Sequence, residues 1–224
     1  MKKICFTLVC IFLTALISFG QNSKVPIKSM PGKTAQPQTP LSVNKISDAE
    51  WNEIVKVLKA EDWDKTLILV SESLKKLKID NENKQLARLR YFHLYALAGK
   101  VTENKLIYAE LEKVADTYIG QDFLMPSREI AANCTKKLNY ICPVSDNEKV
   151  LRVTAINKAA IAILSFEYVH LSNKFDVTAN NGKQVFLGGK LKTIQFNPDR
   201  SQDWIMRLYF ENGVADVVAV GGKQ

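Results

Sequence analysis

The side chains able to do chemistry are few and scattered. His93 and His170 are the only histidines in 224 residues, and, isolated from each other and from the cysteines, they give no metal-ligand spacing. No Ser lies in a G-x-S-x-G elbow. Gly188-Gly189 precedes a strand-like run, so it does not form a phosphate loop. Asp199, Asp203, Glu211 and Asp216 carry carboxylates that only a fold could bring together. Asn197 to Ser201 reads as an inter-strand loop with too few oxygen ligands for calcium. No catalytic constellation, metal or cofactor is therefore expected. Trp204, Arg207, Tyr209 and Phe210 share one strand-like run. Arg207 and Tyr209 fall on the face opposite Trp204, either as a solvated face or as a platform for sugar or peptide.

Cys134 and Cys142 are the remaining reactive pair, since Cys5 and Cys10 lie in an N-terminal export signal. That signal has three parts: a basic start at Lys2 and Lys3, an uncharged run from Ile4 to Ile17, and small residues Ser18 and Gly20 before Gln21. The apolar run is short for a span, which takes about 20 residues. Residues 1–20 are thus expected to be removed, leaving a mature chain without a transmembrane segment, periplasmic or secreted. In an oxidising compartment an even pair of cysteines favours a Cys134–Cys142 disulfide, with two buried thiols as the alternative. Eight residues of unbroken helix rise about 12 Å, too far for a bridge. The chain must then fold back near Leu138 or Asn139, before Pro143.

The net charge of +8 raises the question of nucleic acid. Three quarters of the excess lies before residue 46, in the signal and in Lys24, Lys28, Lys33 and Lys45. A nucleic-acid interface would carry its basic stripe on the fold. Nucleic acid is not an expected partner. Residues 21–46, with Pro26, Pro31, Pro37 and Pro40, read as an extended linker.

From Ser47 the apolar period is helical. Ser47 and Glu50 form a capping box. Ile54, Val57 and Leu58 face inward on the first helix, and Trp63, Leu67, Val70, Leu74 and Leu77 form one stripe on the second. A third helix covers 84–98 and ends at Gly99, with a fourth from Thr102 to Tyr118. A fifth opens at Pro126 and carries Ile130, Cys134 and Leu138 on one side.

After Pro143 the period becomes two. Strands are expected over 150–156, 160–171, 175–179, 183–187, 190–196, 204–210 and 214–220. Asn181-Gly182 and Asn212-Gly213 read as hairpin turns, and Gly188-Gly189 as another reversal. The fold class expected is α+β: a helical module over 47–142, then a small all-β sandwich or barrel over 143–224.

The helices resemble tetratricopeptide repeats. Units of 48–60 with 62–78, and 84–98 with 102–118, start about 36 residues apart. Asp62-Trp63-Asp64-Lys65-Thr66-Leu67 is similar to the opening of the family's second helix, and Tyr95-Ala96-Leu97-Ala98-Gly99-Lys100 to the end of its first. Thr66 stands where the family has a small Ala, and the inter-unit proline is missing. The resemblance implies a concave groove on the first helix of each pair, with Arg88, Tyr91 and Tyr95 as its binding residues. The expected function is non-catalytic: protein–protein interaction or scaffolding in the cell envelope, with an envelope protein or peptide as partner. A carbohydrate or cell-wall module in the β half is the alternative, and a hydrolase the third.

Overall fold

The computed structural model describes residues 43–79, 83–134, 138–144, 147–201 and 203–218. The export signal and residues 21–42 of the linker lie outside them. Residues 43–46, expected as linker, are tied to the fold. Val43 bridges Leu77, and Ile46 is buried.

Local capping starts three of the helices. In α1 (Asp48–Ala60) the Glu50 amide donates to Ser47 Oγ, and the Ser47 amide donates to the Glu50 carboxylate. Glu61, with φ 63°, turns the chain into α2 (Trp63–Lys76), which Asp62 caps. Asn83 Oδ1 accepts the amides of Gln85 and Leu86 at the start of α3 (Lys84–Thr102). Gly99 does not end α3, as the sequence led us to expect. A Cβ there would lie 2.5 Å from the Trp63 ring, so this glycine lets α2 and α3 approach. Thr102 closes α3 by donating from its hydroxyl to Gly99 O, and does not start the next helix. That helix, α4 (Tyr108–Asp116), is correspondingly short.

Seven strands follow: β1 (Asp122–Leu124), β2 (Arg128–Glu129), β3 (Cys142–Val144), β4 (Asn147–Ile156), β5 (Ala162–Leu171), β6 (Gln184–Phe196) and β7 (Trp204–Val217). They form one sheet in the order β1-β6-β7-β5-β4-β3, with β2 also on β6. Every pairing is antiparallel except β5 with β7. The fold is α+β. The path ends at β1 and β3 without closing, so the expected sandwich or barrel is replaced by an open sheet. Its apolar face is covered by α3, so no second sheet is required. Phe166 meets Tyr91 edge-on, and Phe210 packs on both Phe166 and Phe123.

The fifth helix expected from Pro126 is absent among the described residues. Its backbone amides go to the sheet: Met125 N–H donates to Leu187 O, and Ile130 N–H to Lys183 O. Residues 175–179 are likewise turn and not strand. Gly188-Gly189 and Asn212-Gly213 reverse nothing; they lie inside β6 and β7. A Cβ on Gly188 would be 2.2 Å from Phe123 O, and one on Gly213 2.8 Å from His170 O. Glycine inside these strands marks close approach of a neighbouring backbone.

Helices and strands share one hydrophobic core, from Ile46 and Trp63 through Tyr91 and Phe92 to Leu151, Phe166 and Phe210. Arg90 is buried within it and donates from Nη1 to Asp122 O at 2.9 Å. Tyr95 donates its hydroxyl proton to Ile156 O at 3.0 Å, joining α3 to β4. Among the described residues no helix is long and apolar enough to cross a membrane.

Cys134 and Cys142 form a disulfide with a Cα–Cα distance of 5.8 Å. The fold-back that the sequence required brings Ile141 alongside Glu129 and Ala131. Ile141 N–H donates to Glu129 O, and Ala131 N–H to Ile141 O. Closing a loop this short stabilises by about 2.5 kcal/mol in the chain-entropy treatment. A Cys134→Ser, Cys142→Ser double variant should lose about that much in chemical denaturation. An unchanged midpoint would show that the backbone bridges already hold the segment.

Candidate functional site

A cleft of about 330 Å³ opens between the first helices of the two pairs and the sheet. α1 contributes Trp51, Asn52, Val55, Leu58 and Lys59, and α3 contributes Arg88 and Phe92. The opposite wall is Pro126, Ser127 and Arg128, with Phe186 from β6. The helical period puts Trp51, Val55 and Leu58 on one face, and Arg88 and Phe92 one turn apart on another. β2 pairs with β6 through Arg128 and Val185, which brings Arg128 beside Phe186.

The electrostatics of this cleft are one-sided. Lys59, Arg88 and Arg128 line it, and no lining residue is acidic. The Nε atoms of Arg88 and Arg128 are buried without a hydrogen-bond partner. Arg128 Nη1 donates to Ser127 O at 3.2 Å. Arg88 makes no hydrogen bond or ion pair among the described residues. Its guanidinium carbon lies 4.2 Å from the Phe186 ring centroid and 5.9 Å from that of Trp51. Burial pulls its pKa below the ordinary guanidinium value. Both rings stabilise the cation from their faces, and neither supplies the acceptor that its N–H groups require.

The residues expected to bind are divided by the fold. Arg88 is at the cleft. Tyr91 is 1% exposed and stacks on Tyr95, with its hydroxyl pushed up to about 12 by burial. Tyr95 is half-buried, with its hydroxyl engaged by Ile156 O. Tyr91 and Tyr95 thus face the sheet, because β4 and β5 pack on the side of α3 that a simple repeat would leave open. Arg207 and Tyr209 lie on β7, away from the cleft. Arg207 reaches the Trp204 ring at 4.2 Å despite their opposite parity, and Tyr209 stacks on the exposed Tyr168 with centroids 5.9 Å apart.

Arg128, Phe186, Lys59 and Trp51 were not legible as site residues. Arg128 lay in a segment read as helix, and Phe186 in an expected hairpin. The only signal available was the adjacent charges Arg128 and Glu129 following the apolar run from Phe123 to Pro126.

His93 makes one further polar cluster. Its Nδ1 is 2.9 Å from Tyr118 Oη, and its Nε2 is 3.4 Å from Ser71 Oγ. Burial pushes the Tyr118 hydroxyl up to about 12, so that group remains a donor. A neutral imidazole donates at one nitrogen and accepts at the other, and each hydroxyl can take either role, so both contacts can be satisfied together.

The carboxylates do not converge. Glu211 lies 3.9 Å from Lys192, Asp216 pairs with Lys84 at 3.0 Å, and Asp203 accepts from Ser201. Asp199 is on the loop ordered by Asn197, whose Oδ1 accepts the Asp199 amide. Among the described residues no three His, Cys, Asp or Glu side chains group to hold a metal. Compared with protein-family models, curated proteins and solved structures, the chain matches none.

Proposed function

We propose that this is an exported, non-catalytic binding protein of the cell envelope, periplasmic or secreted, whose partner docks in the cleft between α1, α3 and β6. The observation that carries this reading is the half-buried, unpartnered Arg88 guanidinium in a cleft without an acid. The buried Nε–H finds no acceptor within the fold, which leaves one for a bound partner to supply. The tetratricopeptide resemblance supports the same place, because α1 and α3 are the first helices of the two pairs. The signal-like N-terminus and the disulfide support export.

A photo-crosslinking residue at Asn52, in protein expressed in its native envelope, should yield a discrete adduct. The same residue at Tyr168 should not. Adducts at Tyr168 alone would move the site to the sheet. The mature N-terminus should be Gln21 by mass spectrometry, and intact Met1 in envelope material would sink the export reading.

The second reading, carbohydrate binding through the sheet, rests on the exposed Tyr168 beside Tyr209, whose hydroxyl donates to Gln195. Two rings stacked on each other offer a sugar less face than two rings set side by side. That ranks it below the cleft.

A further inference from the structure

We propose that the Cys134–Cys142 disulfide is redox-active and takes two electrons from a peptide dithiol, a reaction separate from docking in the cleft. The chain is a stoichiometric reactant in it and not a catalyst.

The disulfide is open to an incoming thiol. Both cysteines line a pocket of about 350 Å³, together with Tyr140, Arg152 and Val153. The two sulfurs differ in access: Cys134 is partly exposed, and Cys142 is 4% exposed. They differ in electrostatics as well. Cys142 pairs in register with Arg152 of β4. Residues directly opposed in an antiparallel pair share a face, with Cβ atoms about 4.5–5.5 Å apart. Arg152 is exposed and makes no hydrogen bond or ion pair among the described residues. A cation beside a cysteine favours its thiolate, and the more acidic thiol is the better leaving group. Attack is thus directed to Cys134, with Cys142 departing.

The fold holds both cysteines in place once the bond is broken. Ile141 N–H donates to Glu129 O, Ala131 N–H to Ile141 O, and Asn139 N–H to Thr154 O. Ala132 N–H donates to Asn181 Oδ1. None of these bonds passes through sulfur. Acceptors for the reduced thiols are also in position. Ala131 O lies 3.3 Å from Cys134 Sγ, and Tyr140 O lies 3.5 Å from Cys142 Sγ. A disulfide that only staples the chain needs neither the access nor the acceptors.

The lining indicates the class of thiol. Leu138 at the pocket is 55% exposed, and with Tyr140 and Val153 it offers apolar contact to a residue flanking the incoming cysteine. A small hydrophilic thiol such as glutathione gains little from that wall. In the first step the peptide thiolate attacks Cys134 Sγ. A new sulfur–sulfur bond forms there, and the electron pair of the old bond leaves on Cys142 Sγ. The second peptide thiolate then attacks the peptide sulfur of the mixed disulfide and expels Cys134. The peptide departs as a disulfide, oxidised by two electrons. Cys134 and Cys142 remain reduced, and take up the two protons that the peptide thiols released.

The test mixes oxidised mature protein at low salt with the reduced peptide Phe-Cys-Gly-Ser-Cys-Gly, or with glutathione at equal total thiol. Alkylation and mass analysis read the fraction reduced, and circular dichroism reads folding. The peptide should reduce the protein about tenfold faster than glutathione, with no loss of folded signal. Acid-quenched mixed disulfide should map to Cys134. Arg152→Met should slow the peptide reaction about threefold, and Arg152→Lys should restore it. That difference should disappear in 1 M salt, where the Debye length is about 3 Å. Reduction that needs urea, or that proceeds only at the rate of global unfolding, would overturn the proposal. An Arg152→Met rate equal to the parent rate, or a mixed disulfide on Cys142, would overturn the direction of attack. Equal rates with peptide and glutathione would overturn the peptide as source. Crosslinking at Asn52 depends on none of these outcomes, so the docking reading stands or fails separately.

Discussion

Tyr91→Ala should cost about 3–5 kcal/mol of folding stability, the range for truncating a large buried aromatic. Tyr91 is among the largest fully buried side chains, at 1% exposure. Its ring stacks on Tyr95 at 5.7 Å and meets Phe92 and Phe166 edge-on at 5.9 and 5.8 Å. It therefore joins α3 to β5 through one side chain. Whole domains are stable by only about 5–15 kcal/mol, so the variant keeps a small margin or none. The check is a urea titration, read as a fall in midpoint at constant slope. The magnitude decides between two roles. A surface residue in a binding groove would change stability by less than about 0.5 kcal/mol. A loss below about 1 kcal/mol would therefore return Tyr91 to the groove that the repeat resemblance implied.

Acidification from pH 7 to 4 should remove about 3 kcal/mol of stability through His93 alone. Burial holds this imidazole neutral and pushes it down from 6.5 to about 4. The unfolded chain takes up a proton near pH 6.5, and the folded chain does not until about 4. Between those values the unfolded state binds more protons, so stability falls as pH falls. The contribution is fully present above pH 6.5 and exhausted below about 4. His170, the other histidine, is exposed. Glu50 is held down to about 2, chiefly by its hydrogen bond from Lys76, and acts only from 4.5 downward. Its window barely overlaps that of His93, and its exposure discounts its energy. Urea midpoints measured in pH steps should fall steeply from 6.5 to 4 in the parent chain. They should be nearly flat in His93→Gln, where an amide keeps a donor toward Ser71. An equal slope in both proteins would place the acid sensitivity elsewhere.

How much was legible depended on the distance over which each feature is decided. The Ser47 capping box and the bounds of α1 are settled within a few residues, and the sequence reading met them there. The disulfide joins residues 8 apart, and the steric limit on a helix was enough to require the fold-back. The four glycines at 99, 188, 189 and 213 were misread for one reason. Glycine signals either a turn or a close approach, and only the far partner distinguishes the two. For Gly188 that partner is Phe123, and for Gly99 it is Trp63. The span from Pro126 to Leu138 was read as helix on its apolar spacing. Arg128 and Glu129 within it instead pair with β6, more than fifty residues downstream. The parallel β5–β7 pairing was beyond any local rule, since it is made across the whole of β6.

The sequence by itself determined the class, α+β, the starts of the first three helices and the cysteine pair. These depend on neighbours in the chain, where side-chain size, charge and capping act over a turn or two. Tertiary structure alone decided the candidate site. Arg88, Arg128 and Phe186 come from three elements and touch only because β2 and β6 pair beside α3. The same packing buried Tyr91 and left Arg88 without a partner. Burial and pairing are properties of the surroundings of a residue, and those surroundings exist only once the distant strands have arrived.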